Sequence, residues 1–256
     1  MSDKQFLEMI TDSALRIGEG VAKFYDQAIH QGKQAWYDHR YDWLAGPARW
    51  TRWERAVYGA RYIRPADKVL DLCCGDGFFT HLYAQRAAQV IGMDRNEDAI
   101  ALAQELYSGD NCRFLCSDAV TEPDYGKYDL VTWWDAIEHF TEEEAAIIMG
   151  KIAISLLSSG GDGRLIGSTP MWQGTKTNPE HKREFPTISK LEKFLRRWFD
   201  GVDTWTSQWD SRRVQMYFSC YYPYVIGPFG LRDESKRKIT AAAIPHEPTC
   251  NHSTQN

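Results

Sequence analysis

Val69-Leu-Asp-Leu-Cys-Cys-Gly-Asp-Gly77 reads as an apolar strand that carries one acid, Asp71, and then breaks into a Gly-X-Gly turn ahead of the helix-like stretch Phe78–Ala87. Gly75 and Gly77 lack Cβ atoms, so the backbone there can turn sharply and approach a ligand closely. The helix that follows offers unpaired N–H groups, which suit a nucleoside cofactor or a phosphate. Asp71 discriminates between the two. An acid inside the strand repels a pyrophosphate but attracts an ammonium or sulfonium group, and S-adenosylmethionine carries both cations.

The next segments supply the rest of a nucleoside pocket in order. Gln89-Val-Ile-Gly-Met-Asp94 is a second apolar strand ending in a carboxylate, roughly 20 residues after the glycine turn, where an α/β sheet places a ribose-hydroxyl acceptor. Asp94 is therefore the ribose candidate, with Arg95 beside it. Cys112-Arg-Phe-Leu-Cys116 reads as a third strand, followed by Ser117, Asp118 and Ala119, and the Asp118 carboxylate is placed to accept the adenine amino group. Asp71, Asp94 and Asp118 each close a strand, so ligand groups converge on the crevice where open α/β sheets bind them.

As an ordered set these features resemble the class I S-adenosylmethionine-dependent methyltransferases over most of residues 35–225. That family usually has Asp-X-Gly-X-Gly-X-Gly, and here Cys73 replaces the first glycine while Gly75 and Gly77 keep the turn. The resemblance implies S-adenosylmethionine as cofactor, with Cys73, Ala119 and Trp134 adding to the lining set by the three acids. It also implies the fold: an α/β, doubly wound, mostly parallel sheet of about seven strands, a Rossmann-like methyltransferase fold with an N-terminal helical layer.

Length and composition agree. A chain of 256 residues buries one sizeable core. The six cysteines lack Cys-X-X-Cys spacing, so neither a zinc site nor a disulfide framework is indicated, and a reduced cytoplasmic setting is expected. No basic region followed by an apolar run opens the chain, and no stretch reaches the length of a membrane span. With 30 Lys and Arg against 35 Asp and Glu, net −5, the chain has no broad electrostatic footprint for a nucleic acid. The basic clusters at Lys182-Arg183, Arg196-Arg197, Arg212-Arg213 and Lys236–Lys238 read as solvated faces.

Three parts follow. Residues 1–62 form an N-terminal helical and aromatic segment, with a helix over 5–31 and then Trp36, Tyr37, Tyr41, Trp43, Trp50, Trp53, Tyr58 and Tyr62. Those rings serve either as a substrate lid or as the core of a helical layer. Residues 63–230 form the cofactor-binding domain, and the polar stretch Leu231–Asn256 is a tail. Within the domain, Tyr128–Trp134 is a strand and Thr141 opens a helix with three acids in its first turn. Arg164–Thr169 is a strand stopped by Pro170, Ile188–Asp200 is helical, and Val202–Thr206 with Val214–Cys220 makes a closing hairpin.

A second chemical feature follows the fourth strand. In a helical turn, Asp135, Glu138 and His139 at i, i+3 and i+4 share a face. Two carboxylates and an imidazole suit Mg²⁺, Mn²⁺, Fe²⁺ or Zn²⁺, and His181, beyond the Ser168-Thr169-Pro170 strand end, returns to the same sheet edge. The pattern is similar to the acid-X-X-Glu-His and later His of the metal-dependent small-RNA 2′-O-methyltransferases. The ubiquinone-pathway O-methyltransferases share a similar Glu-His element. The resemblance makes Asp135, Glu138, His139 and His181 metal-ligand candidates and Glu138, His139 and His181 catalytic ones.

The expected activity is O-methylation of a hydroxyl on a small molecule or sugar, with metal assistance. The alternatives are a metal-independent N- or O-methyltransferase with His139 as base, an inactive cofactor-binding subunit, and a nicotinamide-dependent dehydrogenase, against which Asp71 argues.

Overall fold

In the computed structural model, which describes residues 49–160, 162–172, 174, 179–208 and 214–224, helix α1 (Arg49–Tyr62) precedes an alternation of strands and helices. These are β1 (Lys68–Leu72), α2 (Phe78–Ala84), β2 (Gln89–Asp94), α3 (Glu97–Tyr107), β3 (Cys112–Cys116) and β4 (Leu130–Trp134). A short 3-10 turn, Ile137–His139, leads to α4 (Glu142–Ser158), β5 (Arg164–Pro170), α5 (Ile188–Leu195), β6 (Phe199–Ser207) and β7 (Gln215–Pro223). The strands form a seven-stranded sheet in the order β3-β2-β1-β4-β5-β7-β6. β1 to β5 run parallel, and β7 lies antiparallel to both β5 and β6. The doubly wound, mostly parallel sheet expected from the sequence is the one observed.

Alternation along β1 explains the two layers. Leu70 and Leu72 face a cluster with Ile148, Met149 and Ile152 of α4 and Leu191 and Leu195 of α5. Val69 faces the opposite cluster with Phe79 and Tyr83 of α2 and Ile63. Every residue of β4 is buried, as a strand covered on both faces requires. Each fully buried Leu or Ile contributes about 1.5–3 kcal/mol. Strand order reverses between β1 and β4, so loops leaving their C-terminal ends diverge and open the crevice that positions the site.

The termini of the helices are set locally. Asn96 caps α3 by accepting from the Ala99 N–H at 2.8 Å. Thr141 and Glu144 form a reciprocal capping box at α4 (Thr141 N–H to Glu144 Oε2, 2.8 Å), a device whose cap is worth about 1 kcal/mol.

Some expectations change. The helix from Ile188 ends at Leu195 rather than Asp200, because β6 starts at Phe199 to pair with Pro223 of β7. Long-range strand pairing overrides local helix propensity there. Pro170 is the last residue of β5 rather than its stop, paired opposite Gln215 at the strand's end. In the described part of the aromatic segment, Tyr58 packs edge-on against Trp205 (5.2 Å) and Tyr217 (5.0 Å), and Arg164 stacks over Tyr62 (4.8 Å). These two rings belong to the helical layer. The helix expected over 5–31, the rings from Trp36 to Trp43 and the tail 231–256 lie outside the described residues. Among the described residues no helix is long and apolar enough to cross a membrane.

Candidate functional site

Left-handed residues alternate along the turn after β1: Cys73 (φ 58°), Gly75 (φ 58°) and Gly77 (φ 74°). Glycine adopts this conformation freely, whereas a side chain there costs roughly 1–2 kcal/mol, which Cys73 bears. A Cβ on Gly77 would lie 2.4 Å from the Phe114 ring and 2.7 Å from Ala103 Cβ. Packing of the turn onto α3 and β3 therefore demands glycine there, in addition to the ligand approach argued from the sequence.

Asp94 latches this turn to the end of β2. Its Oδ2 accepts from the Gly75 N–H (2.9 Å) and its Oδ1 from the Asn96 N–H (2.9 Å), while the Cys74 N–H bonds the Met93 carbonyl (3.0 Å). Each carboxylate oxygen keeps a further lone pair with which to accept a ribose hydroxyl.

Asp71 lies beneath the turn, fully buried. It accepts from Thr80 Oγ1 (2.7 Å) and Thr132 Oγ1 (2.6 Å), and Arg55 Nη2 stands 3.8 Å away. A carboxylate so paired holds α2 and β4 together, and part of its charge is offset by Arg55.

Asp118 Oδ1 accepts from the Val120 N–H (2.7 Å), with the exposed Arg95 Nη1 3.9 Å from Oδ2. The Ala119 carbonyl accepts from Tyr125 Oη (2.6 Å) and Lys151 Nζ (3.2 Å), which fixes the loop. Trp134 is buried against Tyr217 (6.4 Å between rings), so its indole belongs to the core.

The helical turn expected over 135–139 is reduced to the 3-10 turn Ile137–His139. Asp135 is left-handed (φ 46°), and its carboxylate accepts from Ser168 Oγ (2.7 Å) and from Gln215 Nε2. Glu138, His139 and His181 do come together, with one ligand atom from each lying within 4.8 Å of the others, and Asp135 is not in that group. The His139 and His181 rings meet edge to face at 4.9 Å. Glu138 is buried and accepts from Thr169 Oγ1 (3.0 Å). Its carbonyl accepts the Lys182 (2.9 Å) and Arg183 (3.0 Å) N–H groups, which docks the His181 loop beside it. Burial, and then the neighbouring His181, pull the His139 pKa below its ordinary 6.5, so its ring is neutral at pH 7. His181 Nδ1 is hydrogen-bonded to Glu184.

Sequence reading missed the supporting residues. Thr80, Thr132 and Arg55 around Asp71, and Thr169 behind Glu138, gave no local signal. Glu184, three residues after His181, was visible as spacing but unassigned.

With this geometry in place, similarity to known proteins is informative. Residues 69–161 match the methyltransferase-domain family. Ubiquinone biosynthesis O-methyltransferase from Pseudomonas fluorescens (strain Pf0-1) is 36% identical over 84 residues, covering 31% of this chain and 36% of that protein. The match thus spans about a third of that relative's length. Among solved structures, a Pyrococcus horikoshii OT3 protein aligns over 75% of this chain and 100% of its own, with TM-score 0.57 and 20% identity. The N-methyltransferase NodS from Bradyrhizobium japonicum WM9, in complex with S-adenosyl-L-homocysteine, aligns over 68% and 88%, with TM-score 0.55 and 14% identity. At such identities these two establish the fold. The antiparallel β7 between β5 and β6 also departs from the 3-2-1-4-5-6 order of a dinucleotide-binding sheet, which removes the dehydrogenase alternative's structural basis. Over residues 69–161 the chain thus matches the methyltransferase-domain family, and its sheet has the Rossmann-like methyltransferase fold.

Proposed function

We propose that the chain transfers a methyl group from S-adenosylmethionine to a hydroxyl of a small molecule or sugar, and that Glu138, His139 and His181 hold a divalent ion beside the acceptor. The observation that carries this reading is the three-residue cluster just beyond β4, the strand that flanks the cofactor crevice. Two imidazoles and a carboxylate form a donor set suited to Fe²⁺, Zn²⁺ or Mn²⁺. The support behind it fits that use: Thr169 bonds the Glu138 carboxylate and Glu184 orients His181 through Nδ1.

In this reading Asp94 holds the ribose hydroxyls, Asp118 orients the adenine, and the turn Cys73–Gly77 fixes the remainder of the cofactor in line with the acceptor. The cofactor supplies a methyl group already activated by positive sulfur. A divalent ion in the cluster would lower the pKa of an acceptor hydroxyl by several units. His139, half-buried and neutral at pH 7, takes the proton when it is not itself engaged as a ligand. That same neutrality favours a second reading, in which His139 acts as base with no metal. The net charge of −5 favours an uncharged or cationic acceptor over a nucleic acid.

The test is methyl transfer from radiolabelled S-adenosylmethionine to a panel of phenolic and sugar hydroxyls, with and without chelator. Activity lost to chelator and restored by added Fe²⁺, Mn²⁺ or Zn²⁺ supports the metal reading. Full activity in a demonstrably metal-free preparation promotes His139 to direct base, and the absence of transfer to any acceptor counts against both.

A further inference from the structure

We infer that Arg55 is a positioning residue for the cofactor turn, through which α1 becomes part of the cofactor site. This rests on the cofactor reading above. Arg55 precedes the family-matched segment 69–161, yet it is 4% exposed and reaches under the turn. Its guanidinium stands 3.8 Å from Asp71 and lies 4.3 Å over the Phe79 ring of α2. Its backbone carbonyl accepts from Tyr83 Oη, also of α2, at 3.2 Å. One turn further along α1, Gly59 lies so close to the Tyr83 ring that a Cβ would approach it to 2.4 Å.

α1 is therefore fastened to α2 by ring and backbone, and to β1 by charge. Gly77 is the N-cap of helix α2, so the helix's placement sets the last residue of the turn. Asp71 completes the linkage. Through Thr80 and Thr132 its carboxylate joins α2 to β4, the two elements that border the crevice. Removing Arg55 takes the guanidinium from beside that buried carboxylate, an arrangement whose relaxation would displace α2. An Asp71→Asn change removes the charge while keeping an amide able to bond both threonines, so a neutral pair should hold the turn where a half-charged one cannot.

The experiment is a double-mutant cycle on the full chain, read by calorimetric titration with S-adenosylhomocysteine beside thermal unfolding. Arg55→Met should weaken S-adenosylhomocysteine binding at least tenfold in the wild-type background and threefold or less in the Asp71→Asn background. Arg55→Lys, which retains the charge, should recover most of the loss and gives a reading if the methionine variant does not fold. A lowered melting temperature with unchanged affinity in both Arg55 variants would make Arg55 merely structural and overturn the inference. An equal loss of affinity in both backgrounds would overturn it as well. Failure of the wild-type chain to bind S-adenosylhomocysteine would overturn the cofactor reading first, and the inference with it.

Discussion

The two halves of the crevice are built by different means. On the β1–β2–β3 side, the turn Cys73–Gly77 and its latch Asp94 are fixed by main-chain geometry and by hydrogen bonds between adjacent strand ends. On the β4–β5 side, Glu138, His139 and His181 meet only because a distant loop docks on the Glu138 carbonyl and side chains from β5 reach across. In the proposed reading the first half is a preformed holder for the cofactor. The second is, in that reading, the catalytic half, whose parts owe their positions to the tertiary fold. The two should therefore fail separately.

The largest effect is expected on the assembled side. His181→Ala should cut methyl transfer by about 10²–10⁴-fold, the usual contribution of a positioned proton-handling or ligand group, while leaving S-adenosylhomocysteine affinity unchanged by titration. Loss of both together would erase the distinction between the halves. On the holder side, Gly77→Val combines a strained positive φ with a clash against Phe114 and Ala103. It should cost about 2–4 kcal/mol of stability in denaturant unfolding, whereas a wild-type midpoint would show that the turn is freer than its packing implies.

The same contrast decides what could be read from sequence. The ordered acids from Asp71 to Asp118 announced the parallel sheet because each lies at or beside the C-terminal end of its own strand, with helices alternating between the strands. Glu138, His139 and His181, grouped from their spacing, do lie together. Asp135 was misplaced because helical spacing was assumed over 135–139, where the chain instead turns left-handed. Arg55 and Thr132 were invisible, since each meets Asp71 from a different element and no local spacing records it. The end of the Ile188 helix was misjudged for a similar reason, because the pairing that ends it comes from β7.

Two smaller effects sharpen the holder. Asp94→Ala should weaken S-adenosylmethionine binding by roughly 1–3 kcal/mol through lost charge-assisted hydrogen bonds, and unchanged calorimetric affinity would remove Asp94 from the pocket. Cys73→Gly relieves a left-handed side chain but gives up its packing, so stability should stay within about 1 kcal/mol of wild type. A larger drop in the melting curve would mean the thiol's contacts outweigh the backbone strain.

On the assembled side, the lowered His139 pKa has a defined sign. In metal-free protein the unfolded chain binds this proton more readily than the folded one. The stability contribution is therefore lost as pH falls through 6.5 toward the lower folded value, and regained above 6.5. An His139→Ala variant should show a flatter pH dependence across that window. An unchanged slope would assign the titration to another group.

The separation of the two halves is tested most directly by titrating S-adenosylhomocysteine into the His139→Ala/His181→Ala chain beside the wild type. The account predicts that both bind with affinities within about twofold of each other, because the holder does not use those imidazoles. A loss of tenfold or more in the double variant, with its fold intact by circular dichroism, would contradict it.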